Sequence, residues 1–257
     1  DLLKAEQIEM SWRTGFALIN HYVANNQWQK AVETGKKYTK KYPSNYYIGL
    51  KYAKALCETG QYQPCISLLS RMQVLPNEGS YAGRAVYREA NLYRAMEQLS
   101  HKNYKQVVKS VETSKEWPEN LGVGKPYDNM IDNRLEDYLE AKAAAGQGDS
   151  RKTSALLAAV ADYTISRSHF ESGNLLSALA LRESGKVQEA DHMVAAWSTD
   201  FPENRVVQWC TAIYRGEKEK AVGMLQSRND QTNTTPWEAS FRDSNFDLIV
   251  RLFSTEQ

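Results

Sequence analysis

The sequence predicts an all-α fold: about six helical hairpins in succession, closed by a C-terminal helix. Three observations predict it. First, a residue suited to ending a helix stands five positions before a small one. The pairs are Asn26 and Ala31, Gly60 and Cys65, Gly148 and Thr153, Gly185 and Ala190, and Gly216 and Ala221, with Lys102 and Val107 as a degenerate copy. Second, Ala53, Ala95, Ala141 and Ala178 each lie 12 residues ahead of the small residue of their copy. Third, Pro43, Pro76, Pro118 and Pro202 stand where second helices should stop. Gly or Asn ends a helix by taking a left-handed conformation that is costly for other residues. Paired small side chains let two helix axes approach. Proline cannot continue a helix. One hairpin cannot bury its apolar face alone, so neighbouring units must stack.

The clearest copy is Asn174 to Pro202, a helix, a turn at Gly185 and a second helix. With it as a ruler, the units fall at 12–43, 44–76, 81–118, 134–163, 172–202 and 203–228. Residues 1–10 read as the tail of a preceding helix. The first unit carries Phe16, Leu18, Ile19 and Tyr22 at helical spacing. In the second, Ser44-Asn45 is a helix start, followed by Tyr52, Ala53 and Leu56. The third has a long first helix, Tyr81 to Leu99, and a second from Tyr104 to Trp117. Trp28, Tyr62 and Tyr104, three residues before their small residues, are expected to fill the wedge between units. The segment 119–133 (ENLGVGKPYDNMIDN) breaks the period with two Gly and one Pro, and long irregular connections are often functional. The fourth unit resumes at Arg134 and turns at Gly146-Gln147-Gly148. The sixth lacks a closing proline, and Trp209 occupies its small slot. A polar linker, 229–235, leads to a capping helix over 236–253.

Composition limits the function classes. The 257 residues are 42% hydrophobic and 25% charged, enough for a sizeable core. Thirty-two basic against 31 acidic residues give a net charge of +1, which supplies no field for nucleic acid or an anionic membrane. The longest wholly apolar run, Ala155 to Ala161, is too short to span a bilayer. No targeting segment is visible, so both the cytoplasm and the periplasm fit. The three cysteines, Cys57, Cys65 and Cys210, give no disulfide framework. Cys57 and Cys65 fall on consecutive helices and read as free core thiols.

No catalytic pattern emerges. Gly122-Val123-Gly124-Lys125-Pro126 invites a phosphate-loop reading, but Glu119 stands where the first Gly should, and Pro126 replaces the magnesium-binding hydroxyl. His21, His101, His169 and His192 have no ligand spacing. Nucleophile elbows, zinc-protease helices and dinucleotide turns are absent from the sequence. Glu136, Asp137 and Glu140 read as a solvated helix face. Lys36, Lys37, Lys40 and Lys41 form a basic stripe on one helix. Asn233-Thr234-Thr235 matches a glycosylation acceptor. No cofactor or metal is implied.

The small-12-small spacing, the Gly before a Tyr-like residue and the closing Pro resemble the tetratricopeptide repeat. The second-helix small residues at 31, 65, 107, 153, 190 and 221 share the family's 34-residue interval only between the first two. The resemblance implies a right-handed α–α superhelix, with second helices such as the Lys36 stripe on its convex side and first helices lining a concave groove. On those first helices, helical spacing selects Arg13, Phe16, Asn20, Tyr47, Lys54, Tyr138 and Lys142 for the groove. Leu121, Lys125 and Tyr127 of the irregular segment are added as loop contacts. The run Trp117 to Pro126 also resembles the C-terminal repeat region of large bacterial proteins with an N-terminal, β-rich, carbohydrate-active-like domain. The expected function is therefore non-enzymatic binding or scaffolding. The partner would be a protein or peptide segment, or another domain of the same polypeptide. The alternative is an accessory region of a carbohydrate-processing protein, packing against that domain or binding glycan.

Overall fold

The computed structural model describes residues 2–76, 81–165, 170–228, 243 and 245–255. Among them the regular elements are fourteen α-helices and two short 3-10 turns, with no strand. His169, the Asn233–Thr235 triplet, the linker 229–235 and the first part of the expected cap lie outside the described residues. The chain divides into two compact units, Asp1–Arg94 with Glu112–Ile131, and Ala95–Val111 with Asp132–Gln257.

The first unit holds α1 (Leu2–Ile8), α2 (Trp12–Ala24), α3 (Trp28–Lys41), α4 (Tyr46–Glu58), α5 (Tyr62–Leu69) and the start of α6 (Ala82–Ser100). The second holds the end of α6 and most of α7 (Tyr104–Ser114). Beyond the irregular segment come α8 (Arg134–Gly146), α9 (Ser150–Ile165), α10 (Gly173–Glu183) and α11 (Val187–Asp200). Then follow α12 (Arg205–Tyr214), α13 (Lys218–Arg228) and α14 (Phe246–Thr255). Short polar side chains start several of these helices. Ser11 Oγ accepts from the Thr14 N–H (3.2 Å), Asn45 Oδ1 from Ile48 (3.2 Å), and Asn204 Oδ1 from Val206 and Val207 (3.0 and 3.2 Å).

Six turns share one backbone geometry. Asn26, Gly60, Lys102, Gly148, Gly185 and Gly216 all have positive φ. The residue after each donates its N–H to the carbonyl five positions back: Gln27 to Tyr22, Gln61 to Leu56, Asn103 to Gln98, Asp149 to Ala144, Lys186 to Leu181 and Glu217 to Ala212, at 2.8 to 3.0 Å. This is the Schellman closure, which satisfies helix-end carbonyls that otherwise lack donors. Its recurrence makes each helix turn back on the next. In the first unit α2 packs on α3 and α4, and α4 on α3 and α5. In the second, α10 packs on α8, α9, α11 and α12, and α12 on α11 and α13. Within each unit these helices touch their sequence neighbours, and α2 touches α4, α8 touches α10 and α10 touches α12.

Small residues sit where this packing is tightest. Ala31, Ala53, Cys65, Ala95, Val107, Ala141, Ala178, Ala190 and Ala221 are all buried. Glycines go further. A methyl group on Gly15 would lie 2.2 Å from the Tyr38 ring, and one on Gly146 would lie 2.2 Å from the Tyr104 ring. Tyr62 fills its wedge edge-on to Tyr93, with centroids 6.1 Å apart.

The irregular segment is partly a cap for α5. That helix stops at Leu69, shorter than α3. Asn120 then takes over its end. Its Nδ2 donates to the carbonyls of Leu69 (2.9 Å) and Met72 (2.7 Å), and its own carbonyl accepts from the Val74 N–H (2.8 Å). Leu121 follows at 0% exposure. Gly122 turns the chain with φ +75, and a Cβ there would lie 2.9 Å from the Val74 carbonyl oxygen. Gly122→Ala is thus expected to cost about 1–3 kcal/mol, from the left-handed strain and the backbone contact together. Urea unfolding followed by circular dichroism checks it. A loss under about 0.5 kcal/mol would mean that the turn relaxes freely.

Buried polar groups cluster at the start of α8. Arg134, 2% exposed, donates from Nε and Nη2 to the two oxygens of Asp132 (3.0 and 2.8 Å), from Nη2 to Glu171 (2.6 Å) and from Nη1 to Asn174 (2.7 Å). Its guanidinium covers the Tyr163 ring at 4.6 Å. Asn245, just before α14, donates to Asp132 (3.0 Å), and Asp243 accepts from the backbone N–H of Ser172 (2.6 Å). The acidic residues of α8 correct the expectation of a solvated face. Glu136 is fully buried, and Glu140 is buried and paired with Lys152 at 2.8 Å. Here α9 and α10 both cover α8, so two of its faces are turned inward.

Candidate functional site

The exposed face where α2 meets α4 has the strongest case. Residues one turn apart on α2, Trp12 and Phe16, stand beside Tyr46 and Tyr47 at the start of α4. Trp12 and Tyr47 are near-parallel with centroids 6.2 Å apart. Phe16 meets Tyr47 edge-on at 6.4 Å, and Tyr46 lies against Tyr47 at 4.3 Å. The neighbouring Tyr47 hydroxyl raises the Tyr46 hydroxyl above its ordinary value. Tyr47 remains 48% exposed. Aromatic rings in water are normally covered, and a group of four with an exposed member offers stacking area to a ligand.

Two cations lie over these rings. Arg13 Cζ is 4.7 Å from the Trp12 centroid, and Lys51 Nζ is 5.9 Å from the Phe16 centroid. Among the described residues neither has a carboxylate partner. One turn further along α4 the situation changes. Lys54 Nζ is held by Glu58 (2.6 Å) and by both oxygens of Glu89 on α6 (2.6 and 2.7 Å). Burial alone would push the Lys54 ammonium down, but the Glu89 and Glu58 carboxylates outweigh it and hold it above the usual lysine range. Burial and the same carboxylates push the Tyr93 hydroxyl up. Tyr47, Lys51, Lys54 and Glu58 follow at intervals of four, three and four, so they form one stripe on α4. That stripe is aromatic and cationic at one end and saturated with carboxylate at the other.

The residues selected from the sequence separate into four groups. Arg13, Phe16 and Tyr47 come together in the aromatic face, with Asn20 partly buried one turn beyond Phe16 on α2. Lys54 is on the same stripe but already committed to two carboxylates. Tyr138 and Lys142 belong to the other unit, where both bind Glu183, at 2.7 and 2.8 Å, and Tyr138 is buried. In the irregular segment Leu121 is a core residue rather than a contact. Lys125 pairs with Asp128 at 2.6 Å, and Tyr127 stands 81% exposed. The sequence reading missed Trp12, Tyr46, Lys51, Glu58 and Glu89. The helical intervals 12–16–20 and 47–51–54–58 carried a signal for three of them.

Other candidates resolve into packing or surface. Lys36, Lys37, Lys40 and Lys41 are exposed; Lys37 pairs with Glu6 at 2.9 Å, and Lys41 reaches the Met10 carbonyl at 2.7 Å. Cys57 and Cys65 are buried free thiols. The neighbouring Cys65 thiol and burial together push the Cys57 thiol far up, so it is a poor nucleophile. No group of three or more His, Cys, Asp or Glu among the described residues is placed to hold a metal ion. No helix among them is long and apolar enough to cross a membrane. No family model, curated protein or solved structure matches the chain.

Proposed function

We propose that this chain is a non-enzymatic binding module of the tetratricopeptide-repeat kind, holding a protein segment on the α2–α4 face. The observation that carries the reading is the ring group around the exposed Tyr47, flanked by two cations that have no carboxylate partner among the described residues. The six recurring turns, with the contacts of α2 with α4, α8 with α10 and α10 with α12, support a right-handed solenoid of about six hairpins. The run Trp117 to Pro126, which suggested an accessory role beside a carbohydrate-active domain, has a packing task through Asn120, Leu121 and Gly122.

A displayed peptide library panned on the wild-type chain and on Tyr47→Ala tests this. Selected peptides are expected to lose roughly 10- to 30-fold in affinity on the variant, the scale of one central aromatic contact. The variant's own stability is expected to fall by less than about 1.5 kcal/mol, since only ring contacts at a half-exposed position are removed. Peptides that bind both proteins equally, or enrichment confined to convex-face lysines such as Lys36 and Lys40, would sink the reading. Binding of neutral oligosaccharides in place of peptides would favour the accessory glycan-binding role.

A further inference from the structure

We infer that the segment held on the α2–α4 face carries an aromatic side chain next to a carboxylate. This rests on the peptide-binding reading above and names the chemistry of its partner. The ring group supplies one half of the argument. Tyr47 is exposed, and its neighbours Trp12, Phe16 and Tyr46 already meet it both near-parallel and edge-on. A further ring can join in either geometry, so an aromatic side chain fits better than an aliphatic one.

Charge supplies the other half. The two helices that build the face, α2 and α4, carry three basic side chains, Arg13, Lys51 and Lys54, against one acidic one, Glu58, although the whole chain is near neutral. Within the face, Arg13 and Lys51 lie over rings and have no carboxylate among the described residues. A cation over a ring keeps its N–H donors available, five on a guanidinium and three on an ammonium. Lys54, by contrast, is saturated by Glu58 and Glu89. The demand for an anion is therefore localised at the Arg13 and Lys51 end, beside the rings. It does not extend along α4, where two carboxylates already share one lysine. A basic segment would meet two cations at the aromatic end. A neutral sugar would stack but leave those cations unanswered. A carboxylate one or two residues from a ring satisfies both features at once.

Four fluorescent peptides of about a dozen residues, titrated against the whole chain by anisotropy, test the inference: alternating Asp-Tyr, Ser-Tyr, Lys-Tyr and Asp-Ala. The Asp-Tyr peptide is expected to bind about tenfold or more tightly than the other three, and to weaken between low and physiological salt. Lys51→Glu is expected to remove that advantage, with an unchanged helical circular dichroism spectrum, and Tyr47→Ala to weaken Asp-Tyr and Ser-Tyr alike. Equal binding of Lys-Tyr and Asp-Tyr, or an Asp-Tyr affinity indifferent to Lys51→Glu, would overturn the carboxylate inference while leaving peptide binding at this face intact. Failure of every tyrosine peptide to bind in a Tyr47-dependent way would overturn both.

Discussion

An Arg134→Met variant is expected to lose about 3–5 kcal/mol of stability, the cost of removing one partner from a buried charge network. The side chain of Arg134 is 2% exposed and engages Asp132, Glu171 and Asn174 at 2.6 to 3.0 Å, with the Tyr163 ring beneath it. These residues come from the end of the irregular segment, the entry to α10 and the far end of α9. Asp132 also accepts from Asn245, before the last helix. Methionine fills much of the volume but leaves the Asp132 and Glu171 carboxylates without their guanidinium. Even the glycine next door is fitted to the site, since a Cβ on Gly173 would lie 2.5 Å from Arg134 Cζ. Arg134→Lys is expected to recover only a minor part of the loss. A single ammonium cannot reproduce the planar fork that meets both oxygens of Asp132 and two further partners. Urea unfolding of the three proteins decides the matter, with Lys37→Met as a control. Lys37 pairs with Glu6 at the surface and is expected to contribute no more than about 1 kcal/mol. If Arg134→Met and Lys37→Met cost the same, the network is not the keystone it looks to be.

How much of this was legible in the sequence follows from the range of each interaction. The six turns were readable because a Schellman closure is local. Its left-handed residue and the donor after it lie within seven residues, so even Lys102, with neither Gly nor Asn, could be placed by spacing from Val107. Asn45 as a cap was readable for the same reason. The first half of the irregular segment was not. Asn120 acts on carbonyls 48 and 51 residues away, and no local pattern announces a side chain that finishes another helix. Long-range charge pairing failed to show in the same way. Glu136 and Glu140 look like a solvated stripe on α8 until α9 and α10 cover it, and Lys54 looks like a groove cation until Glu89 arrives from α6. At the candidate face the intervals along α2 and α4 were legible. That Trp12 and Phe16 meet Tyr47 depends on the contact between the two helices.

Trp209→Ala is expected to cost about 3–5 kcal/mol, the range for truncating a large, fully buried aromatic side chain. Trp209 occupies a slot held by alanine in the corresponding first helices, which from sequence alone read as a packing fault in the sixth unit. The structure gives the ring a different neighbour. Trp209 is 1% exposed and meets Phe246 edge-on at 5.3 Å and Phe253 at 6.5 Å, both from α14. That helix also buries Leu248, Ile249 and Leu252. A tryptophan here thus extends α12 toward the last helix through ring packing, and among the described residues the indole N–H has no hydrogen-bond partner. Two consequences separate this account from a generic cavity effect. Trp209→Phe, which keeps a ring for Phe246 to meet, should lose much less than Trp209→Ala. Trp209→Ala and Phe246→Ala should also be non-additive by about 0.5–3 kcal/mol in a double-mutant cycle, because each removes the other's partner. Additive losses would mean that Trp209 acts within its own helix pair and that α14 is held by other contacts, with Asp243 and Asn245 at its entry as the first to test.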